Sequence, residues 1–392
     1  MSTEVWIVGA ARTPVGSFNG ALSTIPAAKL GAIAIKAALE RAGVNPEQVD
    51  EVIMGCVLPA AQGQAPARQA MIHAGLPSSV GALTVNKVCG SGLKAVGLAA
   101  QAIKAGDAKI VVAGGMENMS LAPHALPGSR SGIRMGPGTL VDTMVHDGLW
   151  DAYNNCHMGN FADKTATAKS ITREELDAFT VESYQRALAA QKAGKFAAEI
   201  VPVVIEGKKG PTTIDTDEEP GKVLFDKIPS LKPAFNKDGV VTAANASSIN
   251  DGAAAVVVAC AETAKAMGLK PMARIVCQAT ASLEPQWFTL APIDAIRNAL
   301  AKANLTVADI DLWEINQAFS VVSIATFREL GLDGAKVDVN GGAVAIGHPI
   351  GASGARILNT LLYAMEDRKA RYGLATLCIG GGEAFAMIFE RI

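Results

Sequence analysis

The chain carries one pattern of apolar and polar positions twice. In residues 33–54, apolar residues first recur at helical spacing and then, after a short turn, form a continuous run of strand length. Residues 294–315 repeat this pattern, so that the two copies lie 261 positions apart. Helical spacing that gives way to a short apolar run predicts an amphipathic helix, a turn and a buried strand in each copy.

The two copies continue to match further along the chain. The block 89–92 (Cys-Gly-Ser-Gly) corresponds to the block 351–354 (Gly-Ala-Ser-Gly), and each opens a long helical pattern followed by an apolar run that ends in glycines. Alternating helices and apolar strands favour mixed sheets covered by helices. We therefore predict an α/β fold with two similar halves, 1–120 and 270–392, and expect about 246–269 to complete the first half.

Residues 121–245 differ in composition from both halves. They are rich in Gly, Pro, Lys and Asp, and a helical pattern is evident only at 173–195. A long irregular segment inside a folded chain is more often functional than a passive linker. We predict that 121–245 is an inserted loop domain.

Composition excludes several classes of function. The 392 residues suit two or three domains, and the net charge of −2 without long basic blocks argues against nucleic acid as a partner. The apolar runs are too short to span a membrane, and no targeting segment is evident, so a cytoplasmic location is expected. The six cysteines form no Cys-x-x-Cys pair, so we expect neither a disulfide framework nor a metal site.

Cys89 is the first candidate for chemistry. It lies in a predicted strand-to-helix turn, Val-Asn-Lys-Val-Cys-Gly-Ser-Gly at 85–92. A thiol at a helix N-terminus has a lowered pKa and is more nucleophilic, and flanking glycines let a substrate approach closely. The alternative is a small buried cysteine beside the start of a helix.

Two glycine-rich segments near the C-terminus carry further candidates. His348 lies between Gly347 and Pro349, where an imidazole can take a proton from a thiol near neutral pH. Cys378 ends a predicted strand and is followed by three glycines, of which Gly380 can offer its N–H to an oxyanion. The alternatives are a histidine that caps the following helix and a core cysteine before a loose loop.

Asn316 ends the predicted strand of the second copy, and active sites collect at such strand ends. By itself it is more often a turn-forming residue. The duplication, however, predicts that Cys89, His348, Cys378 and Asn316 lie on one side of the two halves. Two thiols, an imidazole, an amide and spare N–H groups suit acyl transfer through a thioester. Neither a P-loop nor a dinucleotide fingerprint accompanies the glycine runs.

On these blocks the chain resembles the thiolases. The resemblance runs nearly end to end, from Ala-Ala-Arg-Thr-Pro-Val-Gly at 10–16 through Gly-Gly-Met-Glu-Asn-Met-Ser at 114–120 to the Cys378 block. It implies the thiolase fold: two duplicated βαβαβαββ-type halves with mixed five-stranded sheets, and a loop domain laid over the site. It also implies acetyl-CoA C-acetyltransferase activity, which condenses two acetyl-CoA to acetoacetyl-CoA and CoA, and the reverse thiolysis.

The resemblance assigns a role to each candidate. Cys89 is acylated in a ping-pong mechanism, and His348 activates it and helps to bind the thioester oxygen. Cys378 removes a proton from the methyl group of the second acetyl-CoA. Asn316 holds a water that completes one oxyanion hole with His348, and the N–H groups of Cys89 and Gly380 form the other.

The resemblance also implies the substrate contacts and the assembly. No cofactor is expected besides coenzyme A as a substrate, and the family is usually a homotetramer, a dimer of dimers with a protruding loop near 125–140. The residues expected along acetyl-CoA and CoA are Leu149, His157, Met158, Lys222, Phe235, Ala243, Ala246, Ser247, Ala318 and Phe319.

Three positions depart from the family pattern. Gln317 stands where the family usually has Glu, and we expect it behind Asn316, where its charge state acts through water. Glu383 adds a carboxylate close to Cys378. Lys222 replaces the Arg expected near the adenine.

The sequence leaves other functions open. A 3-ketoacyl-CoA thiolase of broader chain length would use the same chemistry with a different acyl pocket. A carrier-protein-dependent condensing enzyme would need a second histidine in place of Cys378 or Asn316. A non-catalytic acyl-CoA-binding protein is disfavoured, because all four chemical side chains are present.

Overall fold

Helices and strands alternate in both halves of the chain. The computed structural model describes residues 3–208 and 210–392. Within these ranges the α-helices are α1 (Ala27–Ala42), α2 (Pro66–His73), α3 (Ser91–Ala105), α4 (Met158–Ala168), α5 (Arg173–Lys192), α6 (Ala261–Ala266), α7 (Ala291–Ala303), α8 (Ser320–Leu330), α9 (Ala343–Ile346) and α10 (Ile350–Arg368).

Strands make up the centre of each half and the short hairpins between them. They are β1 (Val5–Arg12), β2 (Gly16–Ser17), β3 (Glu51–Gly55), β4 (Gly81–Val85), β5 (Ile110–Asn118), β6 (His124–Ala125), β7 (Val141–Asp142), β8 (Trp150–Asp151), β9 (Cys156–His157), β10 (Val203–Ile205), β11 (Thr212–Ile214), β12 (Asn250–Cys260), β13 (Ala273–Ser282), β14 (Leu312–Ile315), β15 (Tyr372–Ile379) and β16 (Glu383–Glu390). None of the helices in the described ranges combines the length and hydropathy that a membrane span requires.

One large mixed sheet runs through the molecule. Its order is β14-β15-β16-β13-β1-β12-β5-β3-β4, with β2 beside β12. The pairs β3–β4, β3–β5 and β14–β15 are parallel, and the other neighbours in the sheet are antiparallel. Strand β12 lies between β1 and β5, so the segment after the insertion returns to the sheet of the first half.

The two halves of the sheet meet edge to edge, where β1 pairs with β13 through Trp6 and Ile7. The first half contributes five long strands, as the resemblance implies, and the second contributes β13 to β16. A single parallel bridge between Trp313 and Val337 stands in place of a fifth strand. The extended run cannot continue there, because the next residue, Asp338, has a φ of 45°.

Helices α3 and α10 pack side by side between the two halves of the sheet. A Cβ on Gly92 would lie 2.8 Å from the Ala355 nitrogen, and one on Gly354 would lie 2.4 Å from the Leu93 nitrogen. Glycine is therefore required at both positions for the helices to approach this closely. Helices α1 and α2 cover the outer face of the first half, and α7 and α8 cover that of the second.

The inserted segment is anchored to the first half by a buried charge cluster. The Arg12 guanidinium pairs with Glu199 at 2.7 Å and with Asp217 at 2.7 Å. The helix predicted at 173–195 is α5, which begins after a capping box formed by Thr172 and Glu175.

Candidate active site

Cys89 lies in a tight turn between β4 and α3. Val88, directly before it, has a φ of 45°, a conformation that a β-branched residue rarely adopts. Asn86 Oδ1 accepts a hydrogen bond from the Val88 N–H at 2.9 Å. A Cβ on Gly90 would lie 2.4 Å from Ile379 Cδ1, so the turn also packs closely on the end of β15. Strain of this kind persists only where the surroundings hold it, and it is common at functional sites.

The environment of the Cys89 thiol corrects one expectation. The sequence predicts a lowered pKa, but burial raises the pKa of Cys89 to about 11. The N–H groups of Gly380 and of Cys89 itself lower the pKa by hydrogen bonding, and the Glu117 carboxylate raises it. Desolvation of the thiolate outweighs the two N–H groups, so the resting group is a neutral thiol.

His348 precedes α10 and is buried. Its Nδ1 lies 2.6 Å from Ser353 Oγ, and that hydroxyl donates to the Pro349 carbonyl at 2.9 Å. Because the hydroxyl has one proton, Nδ1–H must donate to Ser353, which leaves Nε2 as the proton acceptor. Burial, with a smaller contribution from the Arg356 charge, lowers the pKa of His348 to about 3, so the resting imidazole is neutral.

Cys378 and the glycines after it form the opposite wall. Cys378 is fully buried near the end of β15. Burial raises its pKa well above the ordinary value, and a negative charge on the neighbouring Cys89 would raise it further. Gly381 and Gly382 have φ angles of 87° and 93°, so only glycine fits this turn without strain.

Asn316 follows β14 and faces the histidine. Its Nδ2 lies 3.5 Å from both ring nitrogens of His348, and its backbone N–H donates to the Thr376 carbonyl at 3.0 Å. Its Oδ1 is buried and has no hydrogen-bond partner among the described residues. The side chain therefore keeps an acceptor beside the imidazole.

A cavity of about 580 Å³ opens onto Cys89, His348 and Gly380. The structure brings all ten predicted substrate contacts to its lining. They are Leu149, His157, Met158, Lys222, Phe235, Ala243, Ala246, Ser247, Ala318 and Phe319. Cys378 and Asn316 do not line the cavity. Cys378 lies buried beside Cys89, and Asn316 lies buried beside His348.

The wall of this cavity is largely apolar. The ring of Phe235 stacks on His157 at a centroid distance of 4.6 Å and contacts Phe319 edge-on at 6.1 Å. Leu149 reaches the cavity from a π-helical turn at Met144–Leu149, a rare geometry that is frequent at functional sites. An apolar channel that ends at a thiol, an imidazole and inward N–H groups suits an acyl thioester carried on a long, flexible arm.

Comparisons with known proteins agree with this geometry. The family described as "Thiolase, N-terminal domain" matches residues 5–262, and "Thiolase, C-terminal domain" matches residues 269–391. The chain belongs to the thiolase family.

Full-length relatives are close to this thiolase. The "Acetyl-CoA acetyltransferase" of Cupriavidus necator is 60% identical over 392 residues, which cover 99% of this chain and 100% of that protein. The protein of the same name from Chromobacterium violaceum is 57% identical over 390 residues, 99% of this chain and 100% of that protein. The one from Pseudomonas aeruginosa is 55% identical, with 99% of each chain covered.

Several residues of the thiolase site were missed by sequence reasoning. Ser353 could have been found, because it follows His348 by little more than one helical turn. Asn250 carried no signal, yet its Oδ1 accepts the His348 N–H at 2.8 Å. Other lining residues, which the sequence did not assign to the cavity, are Ser17, Phe18, Met119, Gly148, Glu219, Ala234, Ser248, Ile249, Phe288 and Ile350.

Glu117 supports the thiolase site through hydrogen bonds to backbone N–H groups, and sequence reasoning missed it as well. Its buried carboxylate accepts the N–H groups of Val57, Leu58 and Gly351 at 2.9, 3.2 and 2.9 Å. Burial raises the pKa of Glu117 to about 7, against the effect of these hydrogen bonds. It ties the first turn of α10 to the loop after β3.

The three departures from the family pattern lie in different places. Glu383 pairs with Lys87 at 2.7 Å, joining the Cys89 turn to the glycine turn after β15. Lys222 lies at the cavity 3.7 Å from Glu218, and it also donates to Ser17. Gln317 lies outside the cavity, where its amide donates to Asp338 at 2.7 Å. The neighbour of Gln317 is thus a buried carboxylate.

The described residues form no candidate metal site: within 3–208 and 210–392, His, Cys, Asp and Glu side chains form no group of three or more that could hold a metal ion.

Proposed function

We propose that this thiolase is an acetyl-CoA acetyltransferase that joins two acetyl-CoA into acetoacetyl-CoA and CoA and also runs the reverse thiolysis. The observation that carries the proposal is the cavity that ends at Cys89, His348 and Gly380, with Cys378 and Asn316 buried behind it. The relatives named acetyl-CoA acetyltransferase, at 55–60% identity over nearly the whole chain, support the choice of substrate.

In the first half-reaction the Cys89 sulfur attacks the thioester carbonyl of acetyl-CoA. Its proton passes to Nε2 of His348 as the new C–S bond forms, because both groups are neutral at rest. The carbonyl oxygen becomes an oxyanion held by the imidazolium and, through a water, by Asn316. The bond to the CoA sulfur then breaks, and His348 returns the proton to the leaving thiolate.

In the second half-reaction the Cys378 thiol first gives its proton to the neutral imidazole of His348, and the thiolate then removes a proton from the methyl group of another acetyl-CoA. The resulting enolate carbon attacks the carbonyl of acetyl-Cys89, and the N–H groups of Cys89 and Gly380 stabilise the oxyanion. The C–S bond to Cys89 breaks, acetoacetyl-CoA leaves, and the Cys89 thiolate takes up the proton held by His348, so that all three groups are neutral again.

The substrate would lie along the inserted segment. We assign CoA binding to the ten predicted lining residues, with Lys222 near the nucleotide end. We also propose three domains: an N-terminal half at 1–120 that is completed by about 246–269, a loop domain at 121–245 and a C-terminal half at 270–392. Apart from CoA as a substrate, the proposed chemistry uses no cofactor. Besides the water held by Asn316, it draws only on side chains and N–H groups that the chain provides.

We further propose a homotetramer that acts in the cytoplasm. The loop near 125–140 exposes 96% of Met135 and 63% of Leu140, and contact with another copy would cover this apolar surface. The six cysteines are free thiols, as a reducing compartment would keep them. Light scattering tests the assembly by comparing the molecular mass of the wild type with that of a double variant, Met135→Ser with Leu140→Ser. We expect a smaller mass for the double variant, and an unchanged mass would count against this loop as the contact.

Thiolysis measured against acyl chain length tests the substrate. We expect kcat/KM to be highest for acetoacetyl-CoA and to fall for longer 3-ketoacyl-CoA substrates. Equal or rising values with length would instead favour a thiolase of broader chain length in fatty-acid degradation.

Trapping of the acyl-enzyme tests the nucleophile. Labelled acetyl-CoA is expected to mark Cys89, and Cys89→Ala is expected to abolish both label and turnover while the protein stays folded. Cys260→Ala is a matched control, because Cys260 lies at the far end of β12 and does not line the cavity. Label that survives Cys89→Ala would show that the nucleophile is misassigned.

A further inference from the structure

Gln317 and Asp338 form a buried amide–carboxylate pair next to the catalytic residues. Gln317 Nε2 donates to Asp338 Oδ2 at 2.7 Å, and both residues are at most 2% exposed. Ser183 Oγ donates to Gln317 Oε1 at 2.7 Å and accepts the Gly342 N–H at 3.1 Å. Asp338 Oδ1 accepts the Ile315 N–H at 2.8 Å. In this chain of hydrogen bonds, each bond joins one donor to one acceptor without conflict.

The pair connects the two segments that carry catalytic groups. Ile315 and Gln317 flank Asn316 at the end of β14, whereas Asp338 and Gly342 belong to the loop that leads to His348. The loop leaves the extended region at Asp338, whose φ is 45°, and again at Gly341, whose φ is 81°. A Cβ on Gly342 would lie 2.2 Å from Gln317 Cδ, so the amide packs directly against this loop.

The pair contains one carboxyl group and lies among other buried charged groups. Burial raises the pKa of Asp338. The hydrogen bonds from Ile315 and Gln317 oppose that effect, as do the charges of Arg356 and Arg186. Burial raises the pKa of Glu314, and the Asp338 charge raises it further. Glu182 lines the same small cavity as Gln317 and Asp338 and pairs with Arg186. A second carboxylate at hydrogen-bond distance could not ionise alongside Asp338 without a large electrostatic penalty.

We propose that Gln317 and Asp338 are a charge-exchanged positioning pair, in which the carboxylate usual at 317 in thiolases is supplied from position 338. The pair holds Asn316 at a set distance from the loop before His348, so its effect on the reaction is indirect. This inference rests on the proposed function for its catalytic readout. It replaces the expectation that Gln317 acts through water, because the amide contacts Asp338 and Ser183 directly.

The proposal predicts opposite consequences for single and double exchange. Gln317→Glu places two carboxylates together, and they must share a proton that is lost as the pH rises. Asp338→Asn directs an amide N–H at the N–H of Gln317. In the double variant a glutamate at 317 can accept from both Ser183 and an asparagine at 338, whose oxygen still accepts the Ile315 N–H, so every group is satisfied.

Thiolysis of acetoacetyl-CoA by the wild type, both single variants and the double variant tests the pair between pH 6 and pH 9. For Gln317→Glu we expect kcat to fall about 10-fold at pH 8 and less at pH 6, with the KM for CoA unchanged. Asp338→Asn should lower kcat by a similar factor without the added pH dependence. The double variant should return to within about 3-fold of the wild type. Gln64→Glu, which adds the same charge at an exposed position, is the matched control.

Two outcomes would overturn the proposal. In one, the losses of the single variants multiply in the double variant. In the other, Gln317→Glu matches the wild type at every pH. Thermal unfolding of the four proteins over the same pH range provides a readout independent of activity. If the wild type shows no thiolysis, the proposed function fails, while recovery of the melting temperature in the double variant would still report the pair.

Discussion

A Cβ on Gly347 would lie 2.5 Å from the carboxamide carbon of Asn250. The same Asn250 side chain accepts the His348 N–H at 2.8 Å and donates to the Gly16 carbonyl at 3.0 Å. It therefore fills the space beside Gly347 and holds the histidine loop against β2 and β12. Gly347 has a φ of 110°, which L side chains rarely adopt.

We expect Gly347→Ala to lower turnover by at least about 100-fold, because the added methyl group must displace Asn250 and with it His348. The backbone strain alone is of order 1–3 kcal/mol. Gly331→Ala is the matched control, since Gly331 has a φ of 65° and nothing lies within 4 Å of its Cβ position. Kinetics and thermal unfolding of both variants check this. Equal effects on turnover would contradict the role assigned to Asn250.

Ser353→Ala should lower kcat by about fivefold to tenfold. The variant loses the hydrogen bond that fixes the proton on Nδ1 of His348, and a neutral hydrogen bond contributes about 1 kcal/mol. Ser353→Thr keeps the hydroxyl and should retain more activity where its methyl group is accommodated. A steady-state comparison at several pH values checks the effect. An alanine variant with wild-type kcat would show that the tautomer needs no support from this hydroxyl.

Cys378→Ser should separate the two half-reactions. A hydroxyl is a much weaker acid than a thiol, so the variant lacks the base for the α-proton while Cys89 and His348 stay intact. Condensation and thiolysis should fall by at least about 100-fold, the range of general acid–base effects, whereas acetyl exchange between CoA molecules should fall far less. Both reactions are measured on one preparation. An equal loss in the two would refute the division of labour between the thiols.

Alkylation of Cys89 should have a steep pH dependence. Because burial raises the pKa of Cys89 to about 11, the thiolate is the minor form at neutral pH. The rate with iodoacetamide should therefore rise about tenfold per pH unit up to about pH 10, without a plateau. Peptide mass spectrometry follows the modified residue, and Cys89→Ala provides the background. A plateau near neutral pH would instead indicate a resting thiolate–imidazolium pair.

Local patterns were sufficient to predict much of this protein. The repeated helix–turn–strand pattern is encoded in neighbouring residues, because apolar periodicity reflects which face of each element is buried. It located the helix that starts after Cys89 and the strand that ends near Cys378. The resemblance to thiolases, carried by the blocks around Cys89, Asn316, His348 and Cys378, then indicated the family and the residues along the cavity.

Contacts between distant segments were decided only by the tertiary structure. Asn250 reaches His348 across 98 positions of the chain, and Gln317 meets Asp338 only because the turn at 338 folds back onto β14. The pKa of Cys89 is likewise a property of the assembled site. A helix N-terminus lowers it, but burial among packed segments raises it more, and burial depends on what the rest of the chain places around the sulfur. Neighbouring residues therefore determined the elements and the reactive groups, while the charge state and the support of those groups depended on three-dimensional packing.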